Sequence, residues 1–123
     1  MTKLSSDDKY EPDGALQRLL DLDNEVLDQG DGFWVKIRVT KVEPDRLRPH
    51  GIDYSLCLLS PDDKCLVRFD NAHPVRDGND LTATADHVHL GEKVKPYGYS
   101  DPEALMNDFW AEVDRVLKEK GVQ

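Results

Sequence analysis

Between Phe33 and Thr40 the chain alternates without a break: Phe33, Val35, Ile37 and Val39 are apolar, and Trp34, Lys36, Arg38 and Thr40 separate them. Successive side chains of an extended strand point to opposite faces. The stretch therefore specifies a strand with one buried face and one largely cationic or polar face. One strand cannot satisfy half-burial alone, so the remaining sequence has to provide sheet partners and a layer over the apolar side.

It provides both. After a loop built on Pro44 and Pro49, Ile52, Tyr54, Leu56 and Leu58 alternate against Asp53, Ser55 and Cys57. Ser60-Pro61-Asp62-Asp63 is a strong turn signal, because proline presets φ and aspartate caps the turn. A return strand is expected over Lys64 to Asp70, with Cys65, Val67 and Phe69 on one side and Leu66, Arg68 and Asp70 on the other. Pro74 to Ala85 reads as a loop, and Asp86 to Leu90 with Lys93 to Tyr97 as a final short hairpin around Gly91. The covering layer is C-terminal: Leu105, Met106, Phe109, Trp110, Val113, Val116 and Leu117 recur every three or four residues and form one helical stripe. Ser100 and Glu103 have capping-box spacing, Pro102 suits the first turn and Gly121 the stop. Leu16 to Leu27 fits a short helix or, through Leu20-Asp21-Leu22-Asp23, an alternating strand. The strand is preferred, because Gln29-Gly30-Asp31-Gly32 would then close a hairpin onto Phe33. The expectation is an α+β single domain over residues 13–123: an antiparallel β-sheet of about four to six strands packed by a C-terminal α-helix. Residues 1–12 read as a loose polar arm.

A chain of 123 residues, 38% hydrophobic and 33% charged, has room for one core and enough apolar residues to build it. Its net charge of -9 argues against a general nucleic-acid or anionic-membrane binder. The charge is uneven, however. Residues 1–29 carry 3 basic and 8 acidic side chains, residues 30–100 carry 10 and 11, and residues 101–123 carry 3 and 6, so the ends hold -8 of the -9. The centre is nearly neutral and leaves room for a local basic surface. Cys57 and Cys65 sit at apolar-rich strand positions and read as reduced core thiols. With no signal-peptide pattern and no long apolar run, a cytoplasmic protein without a membrane partner is expected.

All four histidines fall in short polar motifs at predicted strand ends: Arg48-Pro49-His50-Gly51, Asp70-Asn71-Ala72-His73 and Asp86-His87-Val88-His89. Histidine is the side chain best suited to proton transfer near neutral pH. His87 and His89 are two apart, so on a strand they point to the same side and could converge on one phosphate or one metal ion. In a metal-independent ribonuclease they would be the leading acid/base pair, with His50, His73 and Asp86 assisting and Arg48 or Arg68 stabilising the charged phosphorane. Lys36, Arg38 and Arg68 should share the polar sheet face, with Arg46, Arg48 and Lys93 near its edges; the plainer alternative is a solvated face. No cofactor is expected. If a metal is held, His87 and His89 would need a third partner among His73, His50, Asp70 and Asp86. A non-catalytic interaction domain, whose polar motifs only pin the loops, is the other reading. Gly-rich phosphate loops and the GxSxG elbow are absent from the sequence, which disfavours nucleotide hydrolysis and acyl transfer.

Taken in order, Arg48-Pro49-His50-Gly51-Ile52, Tyr54-Ser55-Leu56, Phe69-Asp70-Asn71-Ala72-His73, Asp86-His87-Val88-His89, Pro96-Tyr97 and Asp108-Phe109-Trp110-Ala111-Glu112-Val113 resemble the TumE family of toxins from prokaryotic toxin–antitoxin modules, over roughly Leu19 to Leu117. The resemblance implies a small cytoplasmic protein that inhibits growth when free and is neutralised by an antitoxin protein, commonly of helix-turn-helix type; RNA is a candidate target. Val88 stands where the family usually has a basic residue and Leu90 where it often has a polar one. A phosphate pocket relying on the basic side chain would be weakened here.

Overall fold

The alternating stretch is the second strand of a six-stranded antiparallel sheet in the computed structural model, which describes residues 12–71 and 86–122. The elements are α1 (Pro12–Leu20), β1 (Val26–Gly30), β2 (Phe33–Lys41), β3 (Ile52–Leu59), β4 (Cys65–Asp70), β5 (His87–Leu90), β6 (Lys93–Pro96) and α2 (Pro102–Glu119). Strand order follows chain order from β1 to β6, each strand pairing antiparallel with the next. A meander of this kind needs only short connections, and the turn residues supply them. Asp31 and Gly32 both have positive φ, 55° and 86°, the requirement of the tight I′ hairpin turn that an Asp-Gly pair favours. At Ser60 to Lys64 the backbone closes on itself through Asp63 N–H to Ser60 O and Ser60 N–H to Lys64 O.

Phe33, Val35, Ile37 and Val39 of β2 meet Tyr54, Leu56 and Leu58 of β3, Val67 and Phe69 of β4 and Val88 of β5 on one face. Leu105, Phe109, Val113 and Val116 of α2 and Leu19 of α1 cover that face. The expected stripe on α2 is thus the buried one, with Met106, Trp110 and Leu117 packed half-buried at its margins. Each fully buried Leu, Val or Phe here is worth roughly 1.5–3 kcal/mol. No described helix is long and apolar enough to cross a membrane.

Two expectations are corrected. Leu16 to Leu20 is helix, not strand: Leu19 is buried in the core, with Leu16 and Leu20 packed against it at helical spacing. The extended strand starts only at Val26, after a turn held by Asp23, whose carboxylate accepts the Val39 N–H at 2.9 Å. The hairpin onto Phe33 forms regardless. The cap of α2 is Asp101, not Ser100: its carboxylate accepts the Ala104 N–H at 2.8 Å, and Pro102 fills the first helical position, where no N–H is needed. Cys57 and Cys65 are free thiols, as expected, with Cys57 buried, and they are in hydrogen-bond contact with each other across the β3–β4 hairpin. Cys57 points away from the helices, beside its cross-strand partner Arg68.

Candidate functional site

The strand register sends the histidine motifs to two sides of the sheet. His50 lies in the loop from Val42 to Gly51, which is drawn tight by Asp45 accepting the N–H groups of Leu47 and Arg48 and by Gly51 donating to Arg48 O. Gly51 sits at φ 77°, its α-carbon facing Pro44 and Val42 O, a place where a side chain would be strained. The loop delivers the His50 ring to the helix side. There its Nε2 is 3.0 and 3.1 Å from the two oxygens of Asp86, and Tyr54 donates its hydroxyl to the same carboxylate at 2.7 Å. Tyr99 packs on the imidazole with ring centroids 4.0 Å apart. The Asp86 side chain has no exposure to solvent, and burial, together with the adjacent Asp86, pushes the Tyr54 phenol far above its ordinary range, so it remains a donor. Beside this network Asn71, wholly buried, accepts the Tyr54 N–H and donates to Ile52 O, bolting the end of β4 to β3. Sequence reasoning gave Tyr54, Asn71 and Tyr99 no role. The signal was the polar side chains embedded in otherwise apolar strand ends.

The opposite face carries the second cluster. Asp70 and His87 are cross-strand partners, as are Arg68 and His89. His87 Nε2 lies 2.9 Å from Asp70 Oδ1, Arg68 reaches Asp70 Oδ2 at 4.0 Å, and the His87 and His89 rings meet edge to face with centroids 4.7 Å apart. Asp70 and His87 are almost fully buried, whereas His89 is half-exposed. Burial first, and His87 second, lower the His89 pKa below 6.5, favouring the neutral imidazole that can accept a proton. One donor atom from each of Asp70, His87 and His89 falls within 4.8 Å of the others; two imidazoles and a carboxylate are also donors that zinc accepts.

His87, His89 and Arg68 are therefore brought together around Asp70, which makes ion-pair contacts with His87 and Arg68. His50 and Asp86 are brought together with Tyr54 on the other side of the sheet, and Arg48 stays in the loop of His50. His73 lies outside the described residues. Val88, between the two histidines, is buried against Phe69 on the helix side. A basic side chain at that position would point away from His87 and His89, so Val88 takes nothing from their pocket.

A model of the family described as toxin TumE matches residues 31–117, from the β1–β2 turn through most of α2, and so takes in both clusters. The chain belongs to the TumE toxin family. That membership supports a toxin-like role for an α+β domain with one sheet and two helices among the described residues. No curated protein and no solved structure matches the chain.

Proposed function

We propose that this TumE-family protein is the growth-inhibiting member of a prokaryotic toxin–antitoxin pair, held in check by an antitoxin protein of helix-turn-helix type, and that it acts in the cytoplasm as a metal-independent ribonuclease. The observation that carries the reading is the Asp70–His87–His89 constellation: two imidazoles in ring contact, one anchored by a buried carboxylate, beside an arginine. His89, the more exposed ring, takes the proton from a 2′-hydroxyl as the oxygen attacks the adjacent phosphorus. His87, oriented through Nε2 by Asp70, gives a proton to the departing 5′-oxygen. Arg68 offsets charge on the phosphorane. The products are a 2′,3′-cyclic phosphate and a free 5′-hydroxyl, with no net change in protons. His50, Asp86 and Tyr54 act on the other face by holding β3, β5 and the loop in place.

The test is cleavage of end-labelled RNA by purified protein in excess chelator, set beside growth on expression with and without the antitoxin. Cleavage to cyclic-phosphate ends that disappears in a folded His87→Ala, His89→Ala double variant supports the proposal; unchanged cleavage by that variant removes it. A second reading, a metalloenzyme on Asp70, His87 and His89, rests on the 4.8 Å grouping of their donor atoms. Cleavage that chelator abolishes and one zinc-class ion restores would select it.

A further inference from the structure

The largest exposed apolar side chains among the described residues are Val26 at 51%, Val94 at 49% and Trp34 at 40%. All three fall on one face. Val26 pairs with Lys36 and Val94 with His89, so both point to the side of the sheet that α1 and α2 leave uncovered, and Trp34 alternates onto that side from the buried Phe33 and Val35. The register lines up Lys36, Cys57, Arg68 and His89 in one row across β2 to β5, with Arg38, Ser55, Asp70 and His87 in the next. Beside the second row, a groove of about 230 Å³ opens between Arg38, Thr40, Asp53 and Ser55.

From this placement we infer that the uncovered sheet face is a track for single-stranded RNA, with a base stacked on Trp34 and the backbone phosphates following Lys36, Arg38 and Arg68 toward His89. The inference rests on the ribonuclease reading and gives it a substrate class. Strand spacing and rise put Trp34 roughly 16 Å from His89, a separation that a few nucleotides of extended strand would span. Charge favours a polyanion along that line. Lys36 and Arg38 are exposed and Arg68 partly so, on the central strands. The acids on the same face are Asp28, cross-strand from Trp34, Asp53, opposite Thr40 beside the groove, and Asp70, which is paired with His87 and Arg68. The cations therefore outweigh the acids only along the row from Lys36 to His89. The remainder of the molecule is strongly acidic, so this face is where a phosphate backbone meets least repulsion. Single strands are the fitting form, because their unstacked bases can lie flat on an aromatic ring, whereas the bases of a duplex are not available to it.

The experiment measures binding of a fluorescent 2′-O-methyl oligonucleotide of about a dozen nucleotides, which fits known single-strand site sizes and has no 2′-hydroxyl to react. The full-length protein is titrated at several salt concentrations, against single-stranded and duplex forms. The expectation is preferential binding of the single strand, weakened about tenfold by Trp34→Ala and little by Trp34→Phe. The Lys36→Ala, Arg38→Ala double variant should lower the slope of log affinity against log salt by about 1.4, at roughly 0.7 per lost phosphate contact. Equal affinity for duplex and single strand, or wild-type affinity in Trp34→Ala, would overturn the track. So would a Trp34→Ala variant that loses only the antitoxin, since the face would then be a protein interface. Strand binding without cleavage of ordinary RNA would remove the ribonuclease reading and leave the track standing; cleavage with kcat and KM unchanged in Trp34→Ala would do the reverse.

Discussion

Tyr54→Phe separates the two clusters most cleanly. The substitution keeps the buried ring and deletes one hydroxyl, which donates at 2.7 Å to a carboxylate with no solvent exposure. A hydrogen bond to a charged group contributes about 1.5–3 kcal/mol. Because His50 still contacts both oxygens of Asp86, the carboxylate is not orphaned, and the loss should stay below the roughly 3–5 kcal/mol of a broken buried ion pair. For a domain of this size about 4 °C of Tm accompanies each kcal/mol, so Tyr54→Phe should melt about 6–12 °C lower. His50→Ala, which removes both imidazole contacts to the Asp86 carboxylate, should fall further. Thermal unfolding followed by far-ultraviolet circular dichroism, with urea titration to check cooperativity, measures both. RNA cleavage, assayed well below the lowered midpoint, should match wild type, since the hydroxyl lies on the helix side. A stability change under about 0.5 kcal/mol, the range of an ordinary surface substitution, would refute the buried network. Lost cleavage in a folded Tyr54→Phe protein would refute its separation from the chemistry.

Asp70→Asn keeps the shape but can hold the wrong His87 tautomer; in a comparable dyad such a change lowers kcat by about four orders of magnitude, and a decrease under tenfold would deny Asp70 its positioning role. The acidic limb of kcat/KM should fall at a pH below 6.5, because burial lowers the His89 pKa and the ring stays neutral further into acid; a limb above 6.5 contradicts that. By the same sign His89 contributes stability that is present above 6.5 and is lost as pH falls through its lower folded value. The Cys65 thiol is drawn down to about 6, first by the hydrogen bond from Cys57 and then by Arg68, against burial acting the other way, while Cys57 is pushed up. Iodoacetamide at neutral pH should therefore label Cys65 ahead of Cys57, and Cys57→Ala should move the labelling midpoint upward; equal labelling of both would count against the pairing. Asn71→Ala should cost about 2–4 kcal/mol in urea unfolding, from two buried backbone groups left without partners.

Much of the architecture was legible because it is local. The period-two pattern of Phe33 to Thr40, the Asp31-Gly32 and Ser60–Asp63 turns and the spacing of Leu105, Phe109 and Val113 each depend on neighbours in sequence, and the meander pairs each strand with the next. The same periodicity put His87 and His89 on one side of their strand and Lys36, Arg38 and Arg68 on the polar sheet face; that the two sets share a face follows from the β4–β5 pairing. Leu16 to Leu20 was misread because a few residues of mixed Leu and Asp fit both periods, and only burial of Leu19 against the core decides for the helix.

What the sequence could not determine is which motif meets which, since that depends on register across strands far apart in the chain. Residue Asp86 precedes His87 directly, yet one joins His50 and Tyr54 on the helix side and the other joins Asp70 on the uncovered side. Adjacent residues of an extended chain face opposite ways, and only the pairing of β5 with β4 says what stands on either side. The opposition of Asp70 to His87 and of Arg68 to His89 comes from that pairing, and it turned three polar motifs into one buried brace and one candidate site.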